Sequence, residues 1–183
     1  VDESKFVHHN ATPVDMDTLL RESDIVTIHT NLTRETNKLI DSEIRSLVDM
    51  PVVGYGEASF HLACMLGHRF GLMVFIAPMA QLYSEQIDLY GLKSRCAGVK
   101  PVGFTFHDVL KNWDNPGPLI DRFKASAAEL IAAGADVIIP GEMPLNILLA
   151  SNGVTHIDGV VVLDGLAITL KMAESMVELK RSV

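Results

Sequence analysis

Short runs of apolar and β-branched residues alternate along this chain with longer segments in which apolar residues recur every three or four positions. The runs "DIVTIH" (24–29), "PVVG" (51–54), "FGLMVFI" (70–76), "GVKPVGF" (98–104), "DVIIP" (136–140) and "VVVL" (160–163) are too short and too β-branched for helices. They predict buried parallel strands. Between them, "PLIDRFKASAAELIAAG" (118–134) has helical spacing and stops at Gly134, and "DGLAITLKMAESMVELKR" predicts a closing helix with Asp164 as its N-cap. This is the rhythm of βαβ units, so the predicted fold class is α/β, with parallel sheets covered by helices. The most linker-like segment, "KNWDNPGP" (111–118), reads as an active-site loop or as a long turn.

Composition narrows the picture mainly by exclusion. A chain of 183 residues with 48% hydrophobic and 21% charged content buries a sizeable core. Its formal net charge is −8, and its 15 Lys and Arg form no basic run, so no nucleic-acid partner is expected. The longest apolar stretches, "FGLMVFIAPMA" and "DGVVVLDGLAITL", are too short or too broken for a membrane span, and the N-terminus lacks the pattern of a signal peptide. A soluble, cytoplasmic protein without a membrane partner is the expectation. Cys64 and Cys96 are expected as reduced structural thiols rather than a disulfide. No HExxH, paired CxxC, GxSxG or P-loop occurs, so neither a metal nor a phosphate-binding cofactor is expected.

In open parallel α/β sheets, ligands sit beyond the carboxyl ends of the strands, where helix N-termini point outward. Here those ends carry His29, Thr30 and Asn31; Tyr55, Gly56 and Glu57; Ala77 and Pro78; His107 and Asp108; Glu142; and Asp164. Glu57, Glu142 and Asp164 each open a predicted helix, and any one alone would serve as a cap that satisfies amides. Three acids on one sheet edge also suit proton transfer, provided that burial raises a carboxyl pKa toward neutrality. Glu142 sits among Pro140, Gly141, Met143 and Pro144, an apolar setting. His61, one helical turn beyond Glu57, either orients a proton on that acid or faces the core. The candidate catalytic residues are therefore Glu142, Glu57 and His61, and the candidate substrate contacts are Thr30, Asn31, Gly141 and Asp164, for a small-molecule substrate.

From about Ile44 to Val183 the chain resembles the Asp/Glu/hydantoin racemase superfamily, most of all its hydantoin and allantoin racemase branch. The matching stretches are "PVVGYGEASFHLACMLGHRFGLMVF", "LYGLKSRCAGVKPV", "GADVIIPGEMPLN" and "VVVLDGLAITLKMAE". The resemblance implies two pseudo-symmetric α/β lobes, here 1–69 plus 150–183 and 70–149, with the first lobe incomplete or rebuilt. It also implies cofactor-independent inversion of a carbon acidified by a neighbouring carbonyl, with two cysteines as acid and base. At the second cysteine position this chain has Glu142; near the first it has His29 and Thr30, and Cys64 matches neither. The family's Asn-Pro-Asn-Thr segment has no counterpart, and "VFIAP" replaces a Thr-rich strand end. The acid stands where the resemblance places a proton-transferring thiol.

Residues 1–43 resemble part of the cofactor domain of D-isomer-specific 2-hydroxyacid dehydrogenases, through "MDTLLRESDIVTIHTNLTRETNKLID". No GxGxxG is present, since "GYGEAS" lacks the third glycine, so nicotinamide binding is not expected. The two resemblances meet near Glu43 to Arg45, which gives the chain a chimeric sequence, whether by natural fusion, engineering or compositing. Two functions compete: carbon-acid isomerisation of a small carboxylate, hydantoin or ureide, and a catalytically silent α/β binding or scaffold protein. A dehydrogenase fragment ranks last. Strand and helix surfaces left by truncation suggest a homo-oligomer.

Overall fold

The computed structural model describes residues 12–22 and 50–182. By its contacts the chain divides into Val1–Val52 and Val53–Val183. In the first unit, helix α1 (Met16–Glu22) starts from Asp15, whose Oδ1 accepts the Thr18 amide at 2.8 Å while Oδ2 accepts the Thr18 hydroxyl at 3.1 Å. This side chain satisfies one of the amides that every helix start leaves unpaired. The strand expected at 24–29, with His29, Thr30 and Asn31 at its end, lies outside the described residues.

The second unit is built on one sheet. Its strands are β1 (Phe70–Val74), β2 (Cys96–Pro101), β3 (Val137–Pro140), β4 (His156–Ile157) and β5 (Val160–Val162), in the order β2-β1-β3-β5-β4. β1 pairs in parallel with both β2 and β3, and β3 with β5, whereas β4 runs antiparallel to β5. Successive side chains on a strand point to opposite faces. Leu72, Val74, Val137 and Ile139 accordingly join one apolar cluster, with Phe60 and Ile87; Met73, Phe75, Ile138 and Val162 join another, with Phe123, Leu145 and Leu148. The first face is covered by α2 (Tyr55–Leu66), α3 (Met79–Leu89) and α7 (Gly165–Ser182); the second by α4 (Phe106–Lys111), α5 (Gly117–Ala132) and α6 (Met143–Ser151). The fold is α/β, as expected.

Several elements differ from the expected bounds for identifiable reasons. "PVVG" is not a strand: residues 51–54 have no ladder, and Gly54 is the extended N-cap of α2. β1 stops at Val74 because the Phe75 and Ile76 amides turn to a side chain instead. β2 begins earlier than expected and ends at Pro101, which has no N–H for a ladder. β4 was not foreseen; a tight turn with positive φ at Asp158 (49°) and Gly159 (81°) folds it back on β5, so the sheet is mixed rather than wholly parallel. Within this unit β5 is hydrogen-bonded into the same sheet as β1, and α7 packs on α2. "KNWDNPGP" is the turn between α4 and α5 together with the start of α5. Cys64 and Cys96 are both free thiols. Among the described residues, no helix is long and apolar enough to cross a membrane.

Candidate active site

The strand order creates the site. From β1 the chain crosses through α3 to β2 on one side, and from β2 it returns through α4 and α5 to β3 on the other side of β1. The carboxyl ends of β1 and β3 are thus a topological switch point, where the following segments part and leave a crevice. Residues 75–78 and 141–142 occupy it.

Gly141 continues the β3 ladder for one more residue, its N–H donating to the Met73 carbonyl at 2.7 Å. A Cβ on Gly141 would stand 3.0 Å from that oxygen and 3.0 Å from Val74 Cγ1, so the approach of the two backbones favours glycine. Glu142 follows in extended conformation as the N-cap residue of α6, yet its side chain does not cap that helix. It reaches to the end of β1 instead, where Oε2 accepts the Phe75 amide at 3.1 Å and Oε1 the Ile76 amide at 3.3 Å. Each oxygen keeps a further lone pair. The residue is 8% exposed. Burial pushes its carboxyl up to about 7, against the opposing pull of the Phe75 and Ile76 amides and its own backbone. A carboxyl with this value is present in both protonation states near neutral pH, which is what proton relay requires.

Two tyrosines brace the same strand end. The Tyr55 hydroxyl donates to the Pro140 carbonyl at 2.7 Å, and the Tyr83 hydroxyl to the Gly141 carbonyl at 2.6 Å. Burial raises both phenols above their ordinary value, so both stay protonated donors. One turn into α6, buried Asn146 donates through Nδ2 to Asp164 Oδ1 at 2.8 Å, and its Oδ1 accepts the Gly165 amide at 2.9 Å. Ser59 of α2 is fully buried, and its hydroxyl has no hydrogen-bond partner among the described residues.

The residues proposed from sequence are distributed unevenly around this crevice. Glu142 and Gly141 lie in it. Glu57 falls in the first turn of α2, two residues after Tyr55, whose hydroxyl joins that helix to β3. His61 is exposed: its Nδ1 donates to the Glu57 backbone carbonyl at 2.8 Å, and its ring meets Tyr90 edge-on at 5.7 Å, so it does not face the core. Asp164 caps α7 by accepting the Ala167 amide at 3.1 Å and also holds Asn146. Thr30 and Asn31 lie outside the described residues. Tyr83, Asn146 and the Phe75 and Ile76 amides were missed. Only Asn146 had a local signal, four residues after Glu142 on the same helix. Among the described residues, no group of three His, Cys, Asp or Glu side chains is placed to hold a metal.

Comparison with known proteins gives two family matches. Residues 38–173 match the family Asp/Glu/Hydantoin racemase, and residues 1–60 match the D-isomer specific 2-hydroxyacid dehydrogenase, NAD binding domain. A hydantoin racemase from Pseudomonas sp. (strain NS671) is 25% identical over 142 residues, covering 74% of this chain and 53% of that protein. The structure of allantoin racemase from Klebsiella pneumoniae superposes with a TM-score of 0.64 at 25% identity, over 75% of this chain and 54% of that one. Allantoin racemase from Pseudomonas fluorescens superposes with a TM-score of 0.61 at 27% identity, over 71% and 54%. The chain therefore spans about half the length of these relatives.

Proposed function

The chain belongs to the Asp/Glu/hydantoin racemase family, and on that premise we propose that it carries out racemase-type proton transfer, without a cofactor, at a carbon acidified by a neighbouring carbonyl. The substrate class is a small carboxylate, hydantoin or ureide. Glu142 is the proton carrier. In its ionised form an oxygen takes the α-proton and the C–H electron pair passes into the carbonyl; inversion follows when that pair returns to the carbon and a proton reaches its opposite face, a role for which Glu57 is the proposed donor. The observation that carries this reading is the placement of Glu142: it is buried at the switch point, anchored by two amides, and held at a pKa of about 7. Glu57, at the start of α2, and Asp164, at the start of α7, are the further acids proposed for this edge, Asp164 as a substrate contact together with Gly141; Thr30 and Asn31, the other proposed contacts, lie outside the described residues. His61, one helical turn after Glu57 on α2, is the further group proposed to move protons.

A second reading has its own support. Both Glu142 oxygens already serve the Phe75–Ile76 turn, as they would in a silent binding protein built on this fold. NMR detection of α-proton exchange in D2O, with a panel of hydantoins, allantoin and amino acids, separates the two. Exchange by the wild type that vanishes in Glu142→Gln, with the fold kept, supports catalysis. No exchange by either protein, with a lower Tm in the variant, leaves Glu142 as a structural clasp.

A further inference from the structure

We infer that Tyr83, with Tyr55 beside it, is a positioning residue for Glu142: two phenols from two helices hold the two consecutive carbonyls that precede it, and so fix the peptide from which its side chain departs. The inference rests on Glu142 being the proton carrier. Its geometry begins where the sheet ends. The Ile138 carbonyl still accepts the Leu163 amide at 2.8 Å, but β5 stops at Val162, and β3 runs on past it. Pro140 and Gly141 are both buried, and buried carbonyls are almost always paired. Here the donors are side chains: Tyr55 for Pro140 and Tyr83 for Gly141, each in a short bond.

The arms that carry these donors are themselves fixed. The Tyr83 ring packs edge-on against Phe60, with centroids 6.5 Å apart and planes at 87°. Phe60 in turn stacks on Phe70 of β1, at 5.5 Å. A phenol anchored in this way acts as a strut between α3 and the strand end. From the other side, the Gly141 amide is tied to Met73, and the Glu142 oxygens to Phe75 and Ile76. Proton transfer depends steeply on the separation of donor and acceptor, so a strut on the preceding carbonyl controls rate without touching substrate.

The test uses the full chain, labelled with nitrogen-15. The Phe75 and Ile76 amide resonances report the ionisation of Glu142 directly, whether or not any substrate turns over. They are followed across pH in the wild type, in Tyr83→Phe, and in Ser84→Ala, which removes an exposed hydroxyl bonded to Ala80 from the same helix. The expected result is a Glu142 midpoint lowered by about one unit in Tyr83→Phe, as the strand end loosens and water reaches the carboxyl. Ser84→Ala should leave it in place. With a substrate that exchanges, kcat in Tyr83→Phe should fall by about 10- to 100-fold, with a smaller change in KM. An unchanged midpoint and unchanged kcat in a folded Tyr83→Phe protein would overturn the inference, even if its Tm were lower. If the wild type exchanges nothing, the proposed catalysis fails, and the amide titration alone decides the positioning. Should Tyr83→Phe not fold, Tyr55→Phe is read by the same two measurements.

Discussion

Asn146 stands between Asp164 and Gly165, donating to the carboxylate of one and accepting the amide of the other, and so ties the start of α6 to the start of α7. Asn146 is buried, and its removal leaves the Gly165 amide without its acceptor. Asn146→Ala should therefore destabilise the protein by about 1–3 kcal/mol. Urea denaturation at neutral pH measures this, and a change close to zero would show that the bridge contributes little.

Glu142 makes stability depend on pH in an unusual direction. Its folded pKa of about 7 lies above its ordinary value of 4.5, so folding favours the protonated form. Its contribution is fully present below pH 4.5 and is lost as pH rises through 7, by an amount on the order of 3 kcal/mol. Exposed acids such as Asp15 and Asp108, whose carboxyls are lowered by backbone bonds from Thr18 and Thr105, act in the opposite sense. The difference between wild type and Glu142→Gln isolates the Glu142 contribution: wild-type stability should decline relative to the variant between pH 4.5 and 8.

Gly165 leaves room for the Tyr55 strut. A Cβ there would lie 2.6 Å from Ser59 Oγ and 2.7 Å from the Tyr55 hydroxyl, closer than atoms tolerate. Gly165→Ala should displace Tyr55 from Pro140 and lower Tm by several degrees, as a cost of about 1–3 kcal/mol implies. Adding Ser59→Gly opens space on one side and should recover part of the loss; thermal melts of the single and double variants decide.

Gly67 meets a similar limit at the other end of α2. Its backbone is extended, so conformation alone permits alanine, but a Cβ would overlap Asp136 Oδ1. Asp136 accepts the His68 and Arg69 amides at 2.8 and 2.9 Å, which sets the entry into β1. Gly67→Ala should cost about 1–3 kcal/mol. Faster amide hydrogen exchange at His68 and Arg69 is the specific sign; unchanged exchange there would show that Asp136 moves aside freely.

The strands that were legible are those buried on both faces. "FGLMV" and "VIIP" read as continuous apolar runs because helices cover both sides of the sheet. The closing helix was legible from Asp164, a local cap. The hairpin at Asp158–Gly159 carried a turn signal that two-residue β4 was too short to support. The position of Glu142 at a strand end was legible, but its partners were not: Phe75 and Ile76 lie 67 and 66 residues away, and only the sheet order brings them together. Tyr83 had no local pattern, because its role depends on where β5 stops. For His61, helical spacing gave its place one turn after Glu57 but not the bond from its ring to the backbone there.

The outermost strands among the described residues bear on how the protein behaves when crowded. β4 offers only two residues, and β2 carries Lys100 near its end and stops at Pro101, which lacks a donor. Neither presents the long, flat, regular row of free backbone groups on which a neighbouring chain can add a strand. Edge-to-edge strand addition on this sheet should accordingly be disfavoured, which leaves the helical faces of the described residues as its broader surfaces.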